Sequence, residues 1–327
     1  MEDFKRAMIQ WGARLFERRL VSGWGGNVSC RVGKERILIT GQHAPLGFLA
    51  PEDLVLVDLE GRPIHQGRQP SSETALHLAV YRDTEAQAVI HAHPPQVLVF
   101  SLSHEHFVPL SFEEKYTLGQ VSVVPQDTPT VTQPEAVVDE LRLQPIVILK
   151  GHGTVAMGKD LKDAFLLTDL LEEAVHCQLL KLETGIMDSS SAPAPSKAAQ
   201  ADGHVLFSRA HIAALVARAN ADAEFLRHGS QTGLTTSLTI AREDDGARWT
   251  MVFLDGKITS FGDSGEGEFV ISGKEEWWKA IFQNRLDPFQ ATQQGKLKLA
   301  RGEMWKLAHW FKPFQRAFQL WQTIPIN

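Results

Sequence analysis

Cysteine is scarce in this sequence, which has only two, Cys30 and Cys177, among 327 residues. Two cysteines cannot build the disulfide framework of a small secreted domain. We therefore expect both to be reduced, each packed as a small buried side chain rather than a reactive thiol. This usage is typical of a protein of the cytoplasm.

Long apolar runs and an excess of positive charge are also missing. No stretch approaches the ~20 apolar residues that a membrane span requires. The net charge of -6 provides no field to attract nucleic acid. The residues from Met1 to Lys5 include two acids and no apolar core, so neither a secretion nor an import signal is predicted. A length of 327 residues with 43% hydrophobic residues predicts an ordinary globular protein of two domains.

The apolar pattern stops between Gly185 and Gly203, where serine, alanine and proline dominate. Such a composition predicts a linker between domains. We place the first domain at residues 1–187, the linker at 188–204 and the second domain at 205–327. Six of the eight tryptophans follow the linker, so the two domains differ in composition.

Hydrophobic periodicity predicts alternating helices and strands in the first domain. The expected helices are 3–20, 73–82, 97–102, 134–141 and 161–182, and the expected strands are 28–32, 37–40, 55–58, 86–92, 121–125 and 146–149. The second domain is predicted to be an α+β unit with an antiparallel sheet. Its expected helices are 208–227, 274–282 and 304–320, and its expected strands are 235–240, 249–254, 257–261, 268–272 and 295–299.

Histidines stand where two of the first domain's strands end. His91 and His93 are two residues apart on one strand, so their side chains point to the same face. His152 follows another buried strand and lies between two glycines. Three neutral imidazoles and an open position are the layout of a catalytic zinc site. Glu73 is a candidate for a fourth ligand or for an acid/base beside the metal, whereas His77 is expected on the helix surface.

Hydroxyl groups and glycines lie close to these residues in sequence. Ser71 and Ser72 precede a predicted helix, where they can cap it or, with the free N–H groups of its first turn, bind a phosphate. The glycine-rich loop before Asn27 can form a nest for an anion or a plain turn between strands. Thr40 and Gly41 close the second predicted strand with another hydroxyl and a flexible backbone.

As a set, these motifs resemble the class II aldolase/adducin family over about residues 3–185. The matching segments are Gly26-Asn27-Val28-Ser29, Thr40-Gly41, Ser71-Ser72-Glu73, His91-Ala92-His93 and Gly151-His152-Gly153. The resemblance implies a three-layer α/β/α fold in a homo-oligomer, commonly a tetramer. It also implies a divalent metal held by the three histidines, usually Zn²⁺ and otherwise Mn²⁺, Co²⁺ or Fe²⁺.

The resemblance also implies roles for the remaining residues. Glu73 would be the acid/base and can ligate the resting metal. A substrate phosphate would be bound by Asn27, Thr40, Gly41, Ser71 and Ser72. The implied reaction is cleavage of a carbon–carbon bond in a small, phosphorylated hydroxy-ketone or sugar phosphate.

One expected group is missing from this pattern. The aldolases of the family use a tyrosine as a second acid, after the fourth or fifth strand. Neither tyrosine of this chain fits, because Tyr81 lies on the helix after Glu73 and Tyr116 comes too early. Dehydratases, decarboxylases and 4-epimerases on the same scaffold are therefore alternatives, although the epimerases carry aspartate in place of Glu73. Adducin, the non-catalytic relative, lacks the metal histidines.

The second domain resembles a sterol-carrier-protein-2-like domain over about residues 208–320. The resemblance is carried by Leu254-Asp255-Gly256-Lys257-Ile258, by Trp277-Trp278, by Asp287-Pro288-Phe289 and by the segment from Gly295 to Glu303. It implies a tunnel for a lipid or another hydrophobic ligand. The alternative is that the later aromatic residues are core or cover the first domain: Trp305, Trp310, Phe311, Phe314 and Phe318. A second hypothesis for the whole chain is thus a binding protein for an apolar ligand with a vestigial metal site.

Overall fold

The computed structural model describes residues 1–126, 128, 130–131, 133–184 and 203–327. The chain divides into two compact units, Met1–Met187 and Asp188–Asn327. Most of the predicted linker, residues 188–202, lies outside the described residues. His204, at the end of that segment, forms backbone hydrogen bonds with Pro325 and Asn327.

The N-terminal unit is built on a sheet of eight strands in the order β3-β2-β1-β4-β8-β7-β6-β5. The strands are β1 (Asn27–Arg31), β2 (Arg36–Thr40), β3 (Leu54–Asp58), β4 (Ala88–Ala92), β5 (His106–Phe107), β6 (Val121–Val124), β7 (Ile146–Leu149) and β8 (Gly153–Gly158). Only β6 and β7 pair in parallel, and the other neighbours are antiparallel.

Helices cover both faces of this sheet. They are α1 (Glu2–Glu17), α2 (Thr74–Asp83), α3 (Pro95–Ser101), α4 (Phe112–Leu118), α5 (Pro134–Leu143) and α6 (Leu161–Thr184). Leu38 of β2 joins a core with α1, α3 and α6, whereas its neighbours Ile37 and Ile39 join a core with α2 and α5. Alternate strand residues point to opposite faces, so the two cores lie on either side of the sheet. The predicted three-layer α/β/α fold is confirmed.

Strand β8 was not expected, because the element predicted to follow His152 was the helix at 161–182. The strand runs antiparallel to both β4 and β7, and pairs Thr154 with Ala92. Its residues, GTVAMG, follow the preceding strand after a turn of three residues, in which Gly151 has a φ of 67°. The glycines indicate this turn, but the strand after it is too short to show a clear period. The strand places His152 next to the end of β4.

The C-terminal unit contains a five-stranded sheet in the order β11-β10-β9-β12-β13. Its elements are α7 (Arg209–Asn220), α8 (Ala223–Gln231), β9 (Thr236–Arg242), β10 (Arg248–Leu254), β11 (Lys257–Gly262), β12 (Phe269–Gly273), α9 (Glu275–Phe282), α10 (Pro288–Gln293), β13 (Leu297–Arg301), α11 (Met304–His309) and α12 (Phe311–Trp321). All neighbouring pairs are antiparallel except β9 and β12. The predicted α+β class is confirmed.

Two long helices predicted in this unit are each divided. The first breaks after Asn220, and Asp222 starts α8 by accepting a hydrogen bond from the backbone of Phe225. The second breaks at Trp310, between α11 and α12. Hydrophobic spacing continues across both breaks, which explains why the sequence predicted single helices.

The aromatic residues and cysteines differ in burial. Phe314 and Phe318 are core residues, whereas Trp305 is 70% exposed. Both cysteines are free; Cys30 is buried as expected, but Cys177 is exposed, so the prediction for Cys177 was wrong. No helix of the described residues is long and apolar enough to cross a bilayer.

Candidate active site

Three histidines converge at one end of the sheet in the N-terminal unit. His91 lies on β4, His93 follows that strand directly, and His152 occupies the turn between β7 and β8. The Nε2 atom of His91 lies 3.0 Å from Nε2 of His93 and 3.3 Å from Nε2 of His152. The ligand atoms of the three residues all lie within 4.8 Å of one another, which suits a single metal ion.

Glycines allow the chain to approach these rings. A Cβ atom on Gly153 would lie 2.1 Å from the Ala92 carbonyl oxygen and 2.9 Å from Cδ2 of His93. A Cβ atom on Gly25 would lie 2.6 Å from Nδ1 of His93. The glycine-rich loop therefore packs against the histidines, and its glycines are required by this close contact.

The buried environment keeps the three histidines neutral. Burial lowers the pKa of His93 to about 4, and burial with the neighbouring His93 and His152 rings lowers the pKa of His91 well below its usual value. Burial also lowers the pKa of His152. Nδ1 of His91 donates to the Thr154 carbonyl oxygen at 2.9 Å, which leaves a lone pair on its Nε2 facing the other rings. Neutral imidazoles with converging lone pairs fit a divalent cation.

Glu73 precedes the first residue of α2. Its Oε1 accepts a hydrogen bond from the backbone N–H of Val131 at 3.2 Å, while its Oε2 is buried without a partner among the described residues. Burial raises the pKa of the Glu73 carboxyl above its usual value. Among the described residues, the group of mutually close ligand atoms consists of the three histidines and does not include Glu73. A buried carboxyl outside the histidine cluster, with a raised pKa, suits a proton carrier better than a fourth metal ligand.

Three buried polar atoms here have no hydrogen-bond partner within the part of the chain that the structure describes. They belong to Glu73 (Oε2), His152 (Nδ1) and Thr154 (Oγ1). Buried polar groups are almost always hydrogen-bonded, because leaving one unpaired costs about 1–3 kcal/mol. The unpaired Nδ1 of His152 belongs to the histidine cluster itself, and the unpaired oxygen of Glu73 is free to bond to a ligand.

Residues predicted to bind phosphate meet at one corner of the sheet. The backbone N–H of Ser71 donates to the Thr40 carbonyl oxygen at 3.0 Å, and Oγ1 of Thr40 accepts from the backbone of Val28 at 3.2 Å. Gly41 bridges to Pro70, but its own N–H donates to the carbonyl oxygen of Asp53 at 2.7 Å. The Gly41 amide is therefore already engaged, and hydroxyls and side-chain amides are the available donors.

The serines have different environments at the start of α2. Oγ of Ser71 accepts from the Glu73 backbone N–H at 3.2 Å, and its carbonyl oxygen accepts from both the backbone and the hydroxyl of Thr74. The helix begins at Thr74 with Glu73 as N-cap. Ser72 is exposed and remains open to a ligand.

The prediction that His77 lies on the helix surface was wrong. The residue is 0% exposed, with Nδ1 hydrogen-bonded to Ser29 and Nε2 to Asn27, each at 2.6 Å. Seven of the ten residues of α2 are buried, so this helix has little polar surface. The sequence signal was the run of apolar residues after His77, which leaves a histidine among them no solvated face.

The two tyrosines are now placed. Tyr81 is 2% exposed and its hydroxyl lies 2.8 Å from Oγ of Ser29. Tyr116 is 63% exposed on α4, which follows β5, so it lies after the fifth strand and is not too early in the chain. Of the two, only Tyr116 is accessible from solvent.

Two family profiles match the sequence. Residues 6–179 match the Class II Aldolase and Adducin N-terminal domain, and residues 198–310 match the SCP-2 sterol transfer family. The first match spans more than half of the chain, and the two together reproduce the domain order predicted from the motifs.

Curated relatives resemble the first unit. The chain is 35% identical over 182 residues to the L-fuculose phosphate aldolase of Methanocaldococcus jannaschii, covering 54% of this chain and 97% of that protein. It is 32% identical to the 3-oxo-tetronate 4-phosphate decarboxylase of Haemophilus influenzae, over 52% of this chain and 83% of that protein. It is 29% identical to the methylthioribulose-1-phosphate dehydratase of Granulibacter bethesdensis, over 53% of this chain and 89% of that protein.

A solved structure resembles the same unit. The L-fuculose-1-phosphate aldolase of Thermus thermophilus superimposes with a TM-score of 0.53 at 32% sequence identity. The match covers 58% of this chain and 100% of that one. The N-terminal unit thus corresponds to a complete protein of this kind.

Proposed function

The chain belongs to the class II aldolase and adducin family, and from this premise we propose that it is a zinc-dependent lyase. It is an enzyme of the metal-dependent aldolase type, like its relatives. The proposed reaction is cleavage of a carbon–carbon bond in a small, phosphorylated hydroxy-ketone or sugar phosphate. The observation that carries this proposal is the convergence of three imidazoles whose pKa values burial lowers.

The residues that would hold the ion are His91, His93 and His152. Zn²⁺ in this place would act as a Lewis acid that polarises the oxygen of a carbonyl group or an adjacent hydroxyl. The Thr154 carbonyl oxygen fixes the ring of His91 through Nδ1, so that Nε2 would be the ligating atom. Analysis of the bound metal distinguishes Zn²⁺ from Mn²⁺, Co²⁺ and Fe²⁺, which also accept imidazole ligands.

Glu73 is proposed as the acid/base. The backbone of Val131 holds Oε1, so the carboxyl has one orientation, and Oε2 is available to exchange a proton with a substrate. Because burial raises its pKa, the group lies closer to neutral pH, where it can both accept and return a proton. Glu73 is 5% exposed as a residue, so its carboxyl is largely shielded from bulk water.

The phosphate of the substrate is proposed to lie at the corner formed by Asn27, Thr40, Gly41, Ser71 and Ser72. Hydroxyl and amide donors there can bind oxyanions without a full positive charge. Binding at that end would orient the reacting carbons, which lie away from it, against Glu73 and the metal. The support is the grouping of these residues around Thr40 and Ser71.

The test uses purified, metal-loaded protein. Metal content is measured after dialysis, and turnover is measured on L-fuculose 1-phosphate, 3-oxo-tetronate 4-phosphate and methylthioribulose 1-phosphate. Carbonyl products, CO₂ and loss of water distinguish aldol cleavage, decarboxylation and dehydration. We expect one divalent ion per chain and cleavage of a carbon–carbon bond. A chain that retains no metal and takes up none would rule out the lyase, while CO₂ or water as product would replace aldol cleavage by the alternative reaction.

Variants assign the roles. His93→Ala should lose the metal, whereas His65→Ala, at an exposed position, should keep it. Glu73→Gln should keep the metal but lose about 10²–10⁴-fold in kcat, the usual contribution of a general acid/base. Glu85→Gln, also exposed, is the matched control. Full activity in Glu73→Gln would remove Glu73 from the mechanism.

For the C-terminal unit we propose an apolar ligand, supported by its match to the SCP-2 sterol transfer family. Saturable binding of a fluorescent fatty acid, competed by unlabelled lipid, is the expected result with the full chain. Binding that grows linearly with probe concentration would exclude a specific site. A homo-oligomer and a cytoplasmic location remain predictions, to be checked by light scattering and by fractionation of cells.

A further inference from the structure

We infer that His77 is a positioning residue that sets the Asn27 side-chain amide as a hydrogen-bond donor to the anionic end of the substrate. The inference rests on the proposed function and extends it, because it adds His77, Ser29 and Tyr81 to the machinery of the phosphate corner. It predicts that these buried groups control substrate binding without touching the substrate.

Four polar side chains form a chain of hydrogen bonds between α2 and β1. The Tyr81 hydroxyl lies 2.8 Å from Oγ of Ser29, which lies 2.6 Å from Nδ1 of His77. Nε2 of His77 lies 2.6 Å from Oδ1 of Asn27. Ser29 and His77 are 0% exposed, Tyr81 is 2% exposed and Asn27 is 6% exposed. This series of hydrogen bonds is therefore shielded from water along its length and reaches the site only at Asn27.

Every hydrogen in this series of side-chain hydrogen bonds finds an acceptor only if donation runs from Tyr81 towards Asn27. Among the described residues the Tyr81 hydroxyl is hydrogen-bonded to Oγ of Ser29, which is the acceptor open to its hydrogen, so that hydrogen is directed to Ser29. Ser29 then has one hydrogen to donate, and the neighbouring acceptor is Nδ1 of His77. A neutral imidazole that accepts at Nδ1 donates at Nε2, here to Oδ1 of Asn27.

In the opposite direction one hydrogen has no partner. If Nδ1 of His77 donated to Ser29, Oγ of Ser29 would accept from both Tyr81 and His77, and its own hydrogen would have no acceptor among the hydrogen bonds of the described residues. An unpaired buried hydroxyl hydrogen is unfavourable. The forward direction is thus selected by Tyr81, at the far end from the site.

The consequence for Asn27 is a fixed amide orientation. With Oδ1 accepting from His77, the Nδ2 group carries two hydrogens and has no partner among the described residues. Asn27 pairs with His91 across the sheet, and its neighbour Val28 donates to Thr40. The free NH₂ group therefore belongs to the same corner as the proposed phosphate donors. A flipped amide would present an oxygen and repel an oxyanion.

Burial alone does not explain this arrangement. Four polar groups in a helix–sheet interface stabilise a fold less well than apolar side chains of the same volume would, because each must be desolvated. The rest of the buried surface of α2 is apolar apart from Thr74. The series of hydrogen bonds ends at Asn27, a residue of the proposed site, as a positioning role requires.

The experiment measures binding of inorganic phosphate to the metal-loaded full chain by titration calorimetry. His77→Leu should weaken binding about tenfold, the loss expected when one hydrogen bond to a charged group is no longer fixed. His77→Gln, whose amide can still donate towards Asn27, should restore most of the affinity. Tyr81→Phe keeps the packing and removes only the hydroxyl, so it should fold and weaken binding about threefold.

A double-mutant cycle separates positioning from stability. In an Asn27→Ala background, His77→Leu and Tyr81→Phe should have no further effect on the dissociation constant, because they act through Asn27. Val80→Ala, a fully buried apolar residue on the same helix, is the control: it should lower the melting temperature and leave phosphate affinity unchanged. Metal content should be the same in every variant, and substrate KM should rise while kcat changes little.

The outcomes are distinguishable from those of the proposed function. Unchanged phosphate affinity in His77→Leu and Tyr81→Phe, with normal binding in the wild type, would overturn the positioning role and leave the lyase intact. Equal losses with and without Asn27 would also overturn it. Absence of phosphate binding in the wild type would overturn both the role of His77 and the phosphate corner, while metal content and the turnover of Glu73→Gln would still test the lyase.

Discussion

Gly153→Ala tests whether close backbone packing holds the metal site. Gly153 begins β8, immediately after His152, and an added Cβ would lie 2.1 Å from the Ala92 carbonyl oxygen and 2.9 Å from the ring of His93. Ordinary contact begins at 3.4 Å, so β4 and β8 must separate by about 1.3 Å at this point. The two strands carry or adjoin all three histidines, and this displacement moves them apart.

The magnitude follows from two effects. Overpacking of this kind costs about 1–3 kcal/mol of stability. Displacing the support of a metal ligand lowers metal affinity by about 10–100-fold. Gly158→Ala, at the other end of the same strand, is the matched control, because its Cβ would meet the backbone N of Ala164 at 2.7 Å but lies away from the histidines.

The assay is competition for zinc against a coloured chelator, together with thermal unfolding. Both variants should melt at lower temperature, but only Gly153→Ala should lose metal affinity. If Gly153→Ala binds zinc as tightly as the wild type, the contact between β8 and His93 does not determine the site. If Gly158→Ala loses metal equally, the effect is one of general stability.

Three further changes test the folded state. Burial lowers the pKa of His77 to about 3, so between that value and the unfolded value of 6.5 the unfolded chain binds the extra proton, and stability falls as the pH is lowered. In urea unfolding, His77→Gln should lower the pH dependence of the free energy of unfolding by about 1.4 kcal/mol per pH unit. An unchanged slope would contradict the burial of His77. Trp278→Phe removes the indole hydrogen bond to the Ala241 carbonyl oxygen and part of a fully buried side chain, and should cost about 1–3 kcal/mol in the same assay, whereas the exposed Trp305→Phe should change little. Asp222→Ala removes the cap of α8 and should cost about 1–2 kcal/mol; an unaltered melting temperature would argue against the cap.

Much of the site was visible in the sequence because its residues follow local rules. The spacing of His91 and His93 matches the two-residue period of a strand, and the glycines around His152 indicate close approach of the backbone. The helix start after Ser71 and Ser72 was located to within one residue. Each of these predictions needs only the geometry of one strand or one helix end.

Other features depend on contacts between distant segments. Strand β8 lies between β4 and β7 and is hydrogen-bonded to both. Nothing within its six residues requires that pairing. The environment of His77 depends on β1, about fifty residues earlier in the chain. The engagement of the Gly41 amide by Asp53 is likewise a property of the folded loop.

The sequence by itself therefore determined the two-domain order, the fold classes, the family and the three candidate metal ligands. Those properties follow from hydrophobic periodicity and from motifs at characteristic spacing. Tertiary structure alone decided which buried polar atoms have partners, that Glu73 stands apart from the histidine cluster, and that His77 is hydrogen-bonded to Asn27. The reason is physical: hydrogen-bond direction and desolvation depend on what surrounds a side chain in space, and neighbours in space are seldom neighbours along the chain.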